Sequence, residues 1–354
     1  MTYYDRMLRK VEELRKQKVV RILAIESSCD DTSVAIVENG RIVRSNVISS
    51  QIDIHTRFGG VVPEIASRNH ILAITPLIDE ALKQANMTMD DIDAIGVTQG
   101  AGLVGALLVG LTSAKALAYS LDKPLIACNH IKGHIAGNYL TNKDLEPPFL
   151  CLIVSGGHTA IVKVEDYTKL TKIGGTIDDA IGEAFDKVAR ILGLGYPGGP
   201  KIDKMAREVE KPTIEFVKHN SLNNEYDVSY SGLKTAVINY VHNRKDKGEE
   251  LNIPEICHSF QHEAVMMVVT KTVKACVELG LSTIAIAGGV SANSYLRNKF
   301  EKLGAENGFK VYYPELVLCT DNAAMIAAAT YFNYKKGKIS DWNLNAVPNL
   351  KIGD

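Results

Sequence analysis

Along this chain, continuous apolar runs flanked by polar turns alternate with longer stretches in which apolar residues recur every three or four positions. From Arg21, the segment RILAIESSCDDTSVAIVENGRIVRSNVI predicts strand, polar turn, strand, Asn-Gly turn, strand, which is a β-meander. A similar unit returns as FLCLIVSGGHTAIVKVEDY: an apolar strand, a short glycine turn and a β-branched second strand. A third relative, LSTIAIAGGVSANSYLRNKF, predicts an apolar strand, Gly288-Gly289, and a helix capped by Ser291 or Asn293. These echoes suggest an internal duplication. Helical spacing marks ILAITPLIDEALKQANM, LVGALLVGLTSAKALAYSL, AIGEAFDKVARILGL and FQHEAVMMVVTKTVKACVELG. The first eighteen residues have helical spacing around Met7, Leu8, Val11 and Leu14 with a heavily charged outer face, so a solvated surface helix is expected there and a basic arm for a polyanion is the weaker reading. Strands alternating with helices predict helix-covered mixed sheets. The expected class is α/β with two lobes and a ligand cleft between them. Residues 1–20 form an extension, 21–128 plus about 322–350 the first lobe, and 129–321 the second.

Composition narrows the class without naming a function. At 354 residues the chain exceeds the usual size of one compact core, which favours two lobes. Hydrophobic residues make up 46% and charged residues 23%, ordinary globular proportions. The net charge of -1 supplies no global field for a polyanion, so nucleic-acid contacts would come from local patches or be shared with other subunits. Six scattered cysteines form no C-x-x-C pair, and the N-terminus lacks a secretory signal. A cytoplasmic protein is expected, with no membrane span.

The sharpest chemical signal is NHIKGH, where His130 and His134 share one face if the segment is helical and are able to chelate one ion, with a carboxylate from elsewhere completing the set. Packing or capping explains such a pair about as well. The glutamate of H-E-x-x-H is missing, because Ile131 and Lys132 follow His130. Three glycine turns, Ser155-Gly156-Gly157-His158, Tyr196-Pro197-Gly198-Gly199-Pro200 and Gly288-Gly289-Val290-Ser291, allow backbone amides to approach a phosphate or ribose. No P-loop motif accompanies them. The run Gly100 to Gly105 mimics a dinucleotide fingerprint but reads as close helix packing. Asp186 lies in an otherwise apolar helix and is placed to bond a ligand hydroxyl. Asp321 precedes the helix NAAMIAAATYF, as its N-cap or as the missing metal carboxylate. Ser229 to Lys234 offers an anion contact through helix amides and Lys234, or a plain capped start.

In order along the chain stand IESSCDDTSVAIV, GGVVPEIASRNH, GLVGALLVG, NHIKGHIAG, IVSGGHT, DDAIGEAFDKVARILGLGYPGGP, SYSGLKT, GGVSAN and CTDNAAM. From about Arg21 to about Ala328 this set resembles the universal tRNA threonylcarbamoyladenosine transferase family, particularly its bacterial TsaD branch. The resemblance implies the duplicated fold of actin, the 70-kDa heat-shock ATPases and sugar kinases. It implies transfer of a threonylcarbamoyl group from threonylcarbamoyl-AMP to N6 of adenosine 37 in tRNAs reading codons that begin with A, releasing AMP. Carried over by matching positions, it makes His130, His134 and Asp321 ligands of one divalent ion, Fe2+ or Zn2+. It assigns Ile153, Val154, Ser155, Gly156, Gly157, Asp186, Gly199, Asp203 and Asn293 to the nucleotide-derived substrate. It implies a TsaB-like paralogue and a TsaE-like small ATPase as partners, and names no general base. The competing readings are a metallopeptidase, from the old label O-sialoglycoprotein endopeptidase attached to relatives, and an ATPase or kinase of the same fold.

Overall fold

The computed structural model describes residues 2–216 and 224–353, which divide into two compact units. The first comprises residues 1–146, 166–170 and 314–354; the second comprises 147–165 and 171–313.

Unit 1 opens with α1 (Tyr3–Leu14), followed by the meander β1 (Arg21–Glu26), β2 (Asp31–Glu38) and β3 (Ile42–Ser50). Asn39 and Gly40 both take positive φ at the β2–β3 hairpin, as the sequence pair predicts. After α2 (Ile52–Thr56) comes α3 (Pro63–Ala85), which starts with proline in its first turn and ends on left-handed Asn86. Then β4 (Ala94–Gly100), α4 (Val104–Ser120), β5 (Leu125–Asn129) and α5 (His130–Thr141) complete the first pass. The sheet runs β3-β2-β1-β4-β5, with β1 antiparallel to β2 and parallel to β4. Its core joins Leu23, Ile25, Val34 and Ile36 to Ile74 and Leu111 from the covering helices.

Unit 2 repeats this order. Its strands are β6 (Phe149–Val154), β7 (Thr159–Asp166, its last residue grouping with unit 1) and β8 (Lys169–Gly175, whose first two residues also do), with β9 (Thr283–Ala287) and β10 (Lys310–Tyr312) later in the chain. Between β8 and β9 lie α6 (Ile181–Ile191), α7 (Gly198–Ala206), α8 (Ser231–Asp246) and α9 (Ile253–Glu278), and α10 (Ser294–Asn307) precedes β10. The sheet runs β10-β9-β6-β7-β8, so β6 to β10 stand in the places of β1 to β5. The inferred duplication therefore extends to all five strands. The apolar periodicity of α6 and α9 buries Phe185 against Phe260 beneath this sheet.

The last helix, α11 (Ala323–Lys335), belongs to unit 1 and packs on α5. That packing moves the boundary. Residues 129–146 and 314–321, expected in the second lobe, group with the first unit because α5 is covered by α11 rather than by the second sheet. The N-terminal segment also differs from a solvated helix: α1 buries Tyr3, Met7, Val11 and Leu14 within unit 1. The Gly100–Gly105 run serves close packing, since a Cβ on Gly102 would fall 2.5 Å from the Ser28 carbonyl and one on Gly105 would fall 2.5 Å from Ser67 Oγ. Among the described residues, no helix is long and apolar enough to cross a membrane.

A candidate metal centre and a glycine-walled substrate site

Strand β5 ends at Asn129, whose side chain accepts from the amides of Ile131 and Lys132 and so starts α5 at His130. His130 and His134 are then one turn apart, both buried, with ring centroids 4.6 Å apart. The ambiguity at Asp321 resolves in the next residue. Asn322, not Asp321, caps α11 by accepting from Met325 N at 3.0 Å, which leaves the Asp321 carboxylate for the histidines. Oδ1 of Asp321 lies 3.4 Å from His130 Nε2 and 3.2 Å from His134 Nε2. One ligand atom from each of the three residues falls within 4.8 Å of the others.

Glu26, which ends β1 after the apolar run Ile22 to Ile25, was not apparent as a site residue in sequence. It is fully buried, accepts from Ser28 N at 2.5 Å and Thr98 Oγ1 at 2.6 Å, and places Oε2 3.1 Å from His130 Nδ1. Ser28 Oγ also lies 3.1 Å from that nitrogen. His130 is thereby held by Nδ1, with Nε2 turned to Asp321. Neither nitrogen of buried His134 has a hydrogen-bond partner, although Nε2 is close to Asp321. Unpartnered imidazole nitrogens beside a carboxylate suit a ligand set better than a packing role.

The charges reinforce one another. Burial opposes protonation of His130, but the Asp321 and Glu26 carboxylates outweigh it and hold the imidazole well above its usual range. Burial likewise penalises ionised Asp321, and His130 with His134 holds it well below the ordinary carboxylate value. Burial pushes the Asp31 carboxyl up to about 7 and pushes the Cys29 thiol upward as well.

In unit 2, β6 delivers Ile153 and Val154 to the turn at Ser155, closed by Ser155 N to His158 O at 2.8 Å and His158 N to Ser155 Oγ at 3.1 Å. Two glycines outside the assigned set make this loop possible. A Cβ on Gly182 would lie 2.6 Å from the Ser155 carbonyl, and one on Gly288, at φ +90°, would lie 2.4 Å from that of Val154. Gly156, Gly157 and Gly199, in contrast, face space where a Cβ would meet nothing within 4 Å. Asp186 Oδ1 accepts from Gly198 N at 2.7 Å and fixes the start of α7. Burial raises the Asp186 carboxyl, and these loop amides oppose the rise. Asp203 accepts from Ser294 Oγ at 2.8 Å and pairs with Arg207 at 2.6 Å. Asn293 caps α10 and donates to Gln261 at 2.7 Å. Of the residues expected to hold substrate, Asp186 is thus bonded beside Gly199, and Asp203 is bonded to Ser294, next to Asn293. In the Ser229–Lys234 segment, Asp178 already accepts from Tyr230 N and Ser231 N, and Lys234 pairs with Asp179 at 2.5 Å.

A family profile described as "TsaD: tRNA N6-adenosine threonylcarbamoyltransferase" matches residues 42–328. A tRNA N6-adenosine threonylcarbamoyltransferase of Clostridium perfringens is 59% identical over 333 residues, 94% of this chain and 98% of that protein. One from Clostridium kluyveri is 56% identical over 338 residues, 95% of this chain and 99% of that protein. Among solved structures, HypF from T. kodakarensis aligns with a TM-score of 0.62 at 13% identity, covering 90% of this chain and 48% of that one. The (R)-2-hydroxyglutaryl-CoA dehydratase component A of Acidaminococcus fermentans aligns with a TM-score of 0.54 at 15% identity, covering 90% and 99%. At such identities these two speak for the duplicated fold alone. The match over most of the chain and the high identity to relatives along nearly their whole length establish that the chain belongs to the TsaD family of tRNA N6-adenosine threonylcarbamoyltransferases, acyltransferases of tRNA threonylcarbamoyladenosine biosynthesis.

Proposed function

We propose that the chain draws its threonylcarbamoyl group from threonylcarbamoyl-AMP and places it on N6 of adenosine 37 in tRNAs reading codons that begin with A. His130, His134 and Asp321 hold one divalent ion, iron or zinc, and Ile153 to Gly157, Asp186, Gly199, Asp203 and Asn293 hold the adenylate. The observation that carries this reading is the convergence of the three ligand atoms, with His130 fixed from behind by Glu26.

The reaction is attack of the N6 amine on the carbonyl of a mixed carbamoyl-phosphate anhydride. A C–N bond forms, the C–O bond to phosphate breaks, AMP leaves with the electron pair and the amine gives up a proton. When bound, the ion supplies Lewis acidity to a carbonyl oxygen. Glu26 keeps the His130 ring in the orientation and tautomer that offers Nε2. The open backbone at Gly156 and Gly157 lets amides approach the leaving phosphate, where charge accumulates. With a net charge of -1, tRNA binding is shared with a TsaB-like paralogue and a TsaE-like ATPase in the cytoplasm.

The test is reconstitution. The chain with those partners, threonylcarbamoyl-AMP and an unmodified tRNA transcript is expected to yield the modified nucleoside by mass spectrometry. Its absence rejects the donor and acceptor assigned here.

A further inference from the structure

Unit 1 holds a second site that the metal centre does not use, where the chain after α11 runs along β5 and back over the end of β4. Ser340 N donates to the Leu125 carbonyl at 2.8 Å and Val347 N to that of Gln99 at 2.9 Å. A cavity of about 220 Å³ opens there, lined by Gln99, Asn129, Lys132, Asn333, Lys338 and Ser340, with Ile339 and Leu350 among its apolar residues. Its chemistry is one-sided: two lysines line it and, among the described residues, no carboxylate does. The neutral polar side chains each meet one need of the fold and keep a donor. Asn129 Nδ2 donates to the Lys351 carbonyl at 2.8 Å, Asn333 Nδ2 to that of Ala127 at 3.0 Å and Gln99 Nε2 to that of Asn345 at 3.3 Å, and each of these nitrogens carries a second hydrogen. Ser340 Oγ accepts from Ala127 N at 3.2 Å and retains its own proton to donate. The Lys338 ammonium, on an exposed residue, has no ion-pair or hydrogen-bond partner among the described residues. Apart from buried Asn129, the lining residues are partly or well exposed, so a ligand reaches them.

We infer that this cavity seats a phosphodiester of the substrate tRNA with its ribose. The inference rests on the tRNA transferase activity. Spare N–H and O–H donors beside two lysines suit an oxyanion, and a lining without a carboxylate is wrong for a divalent cation. The apolar strip of Ile339 and Leu350 suits the attached sugar. A net charge of -1 gives the chain no global field for a polyanion, so its RNA contacts come from local patches, and this is one. Lys335, in the last turn of α11, and Lys351, whose carbonyl Asn129 holds, add exposed positive charge on the flanking segments. Asn129 also starts α5 at His130, so cavity and metal centre share the first turn of one helix, with Lys132 on the other side of that turn from His130.

The experiment measures binding of unmodified tRNA transcripts to the full chain, with its partners, over a range of salt concentrations. Lys338→Gln is expected to melt as the wild type does, since its ammonium holds nothing in the fold, and to bind tRNA about threefold more weakly at low salt. The slope of log affinity against log salt is expected to fall by about 0.7, the share of one phosphate contact. Lys338→Arg is expected to keep the wild-type slope. The loss is expected to be equal for substrate tRNAs of different sequence, because a phosphodiester carries no sequence information. Lys302→Gln, on α10 in unit 2, is the control for net charge and is expected to leave the slope unchanged. The inference is overturned if Lys338→Gln keeps the wild-type slope, if Lys302→Gln loses as much, or if the loss is confined to one tRNA. A second arm titrates inorganic phosphate without RNA and reads the melting temperature. Stabilisation that Lys338→Gln abolishes, together with an unchanged RNA slope, would assign the cavity to a free anion and overturn the RNA reading. Failure of the wild type to modify a tRNA that it binds would reject the donor and acceptor assignment above, while the salt slopes alone judge this cavity.

Discussion

Glu26 Oε2 lies 3.1 Å from Nδ1 of His130, and Thr98 donates to the same carboxylate oxygen at 2.6 Å. The pair fixes the ring that offers Nε2 toward Asp321, as partners behind metal-bound histidines do. Glu26→Ala is expected to lower metal affinity about tenfold to hundredfold, and Glu26→Gln by less, because an amide oxygen still accepts. Competition against a chelator of known affinity measures this. Equal affinity in all three proteins would remove Glu26 from the centre.

Replacing His130 and His134 together with alanine is expected to abolish stoichiometric metal in elemental analysis. The same loss is expected in Asp321→Ala, because Asn322, not Asp321, caps α11 and that helix start survives the substitution. A ligand that binds only the native state stabilises it by about 4 kcal/mol at a thousandfold excess over its dissociation constant. Chelation is therefore expected to lower the melting temperature of the wild type and leave the double variant unmoved. Metal retained by the double variant would disprove the ligand set.

The histidine pair was legible because its spacing is local and the helix supplies the geometry. Asp321 was half legible: nothing in CTDN says which of two adjacent residues caps α11, and the bond from Met325 N to Asn322 decides that much. Glu26 was hidden at the end of an apolar strand, since its meaning comes from His130, which tertiary structure brings to it. The same cause explains α1, whose apolar stripe was visible while its docking partner Trp342 lies near the other end of the chain. The duplicated meanders were legible as strands, but the correspondence of all five strands needed the pairing order.

Gly156 and Gly182 separate binding from folding. A Cβ on Gly156 meets nothing within 4 Å, so Gly156→Ala is expected to shift stability by no more than roughly 0.5 kcal/mol while lowering adenylate affinity by about tenfold through the added bulk beside the backbone. Gly182→Ala drives a Cβ into the Ser155 carbonyl and is expected to cost roughly 1–3 kcal/mol. Melting curves and adenylate titration on both variants check the contrast. It fails if Gly156→Ala melts as early as Gly182→Ala.

Asp31 contributes one component of the pH dependence of the metal-free protein. Burial raises its carboxyl to about 7, so the native state keeps a proton that the unfolded chain releases near pH 4. Stability associated with this group is full below about pH 4, falls as pH rises from there to about 7, and is level above. Asp31→Asn removes that slope, so its stability relative to the wild type is expected to grow from pH 5 to pH 8. Urea midpoints across that range test the sign, and a constant difference between the two proteins would refute it.

Tyr3 anchors α1. Its ring stacks on Trp342 at a centroid distance of 4.0 Å, its hydroxyl donates to the Lys123 carbonyl at 2.8 Å and accepts from Leu125 N at 3.1 Å, and burial raises it to about 12. Leu125 opens β5, the strand that runs directly into His130, so the N-terminal helix is bonded to the strand that leads to the candidate metal centre. Tyr3→Phe keeps the ring and is expected to cost about 1 kcal/mol, the value of the hydrogen bond. Tyr3→Ala also loses the stacked ring and is expected to cost roughly 3 kcal/mol. Trp342 is the one tryptophan in the chain, so its emission reports this contact directly. It is expected to shift to longer wavelength in Tyr3→Ala and to stay in place in Tyr3→Phe. Unchanged emission in Tyr3→Ala, with the protein still folded, would mean that the helix does not cover Trp342 in solution.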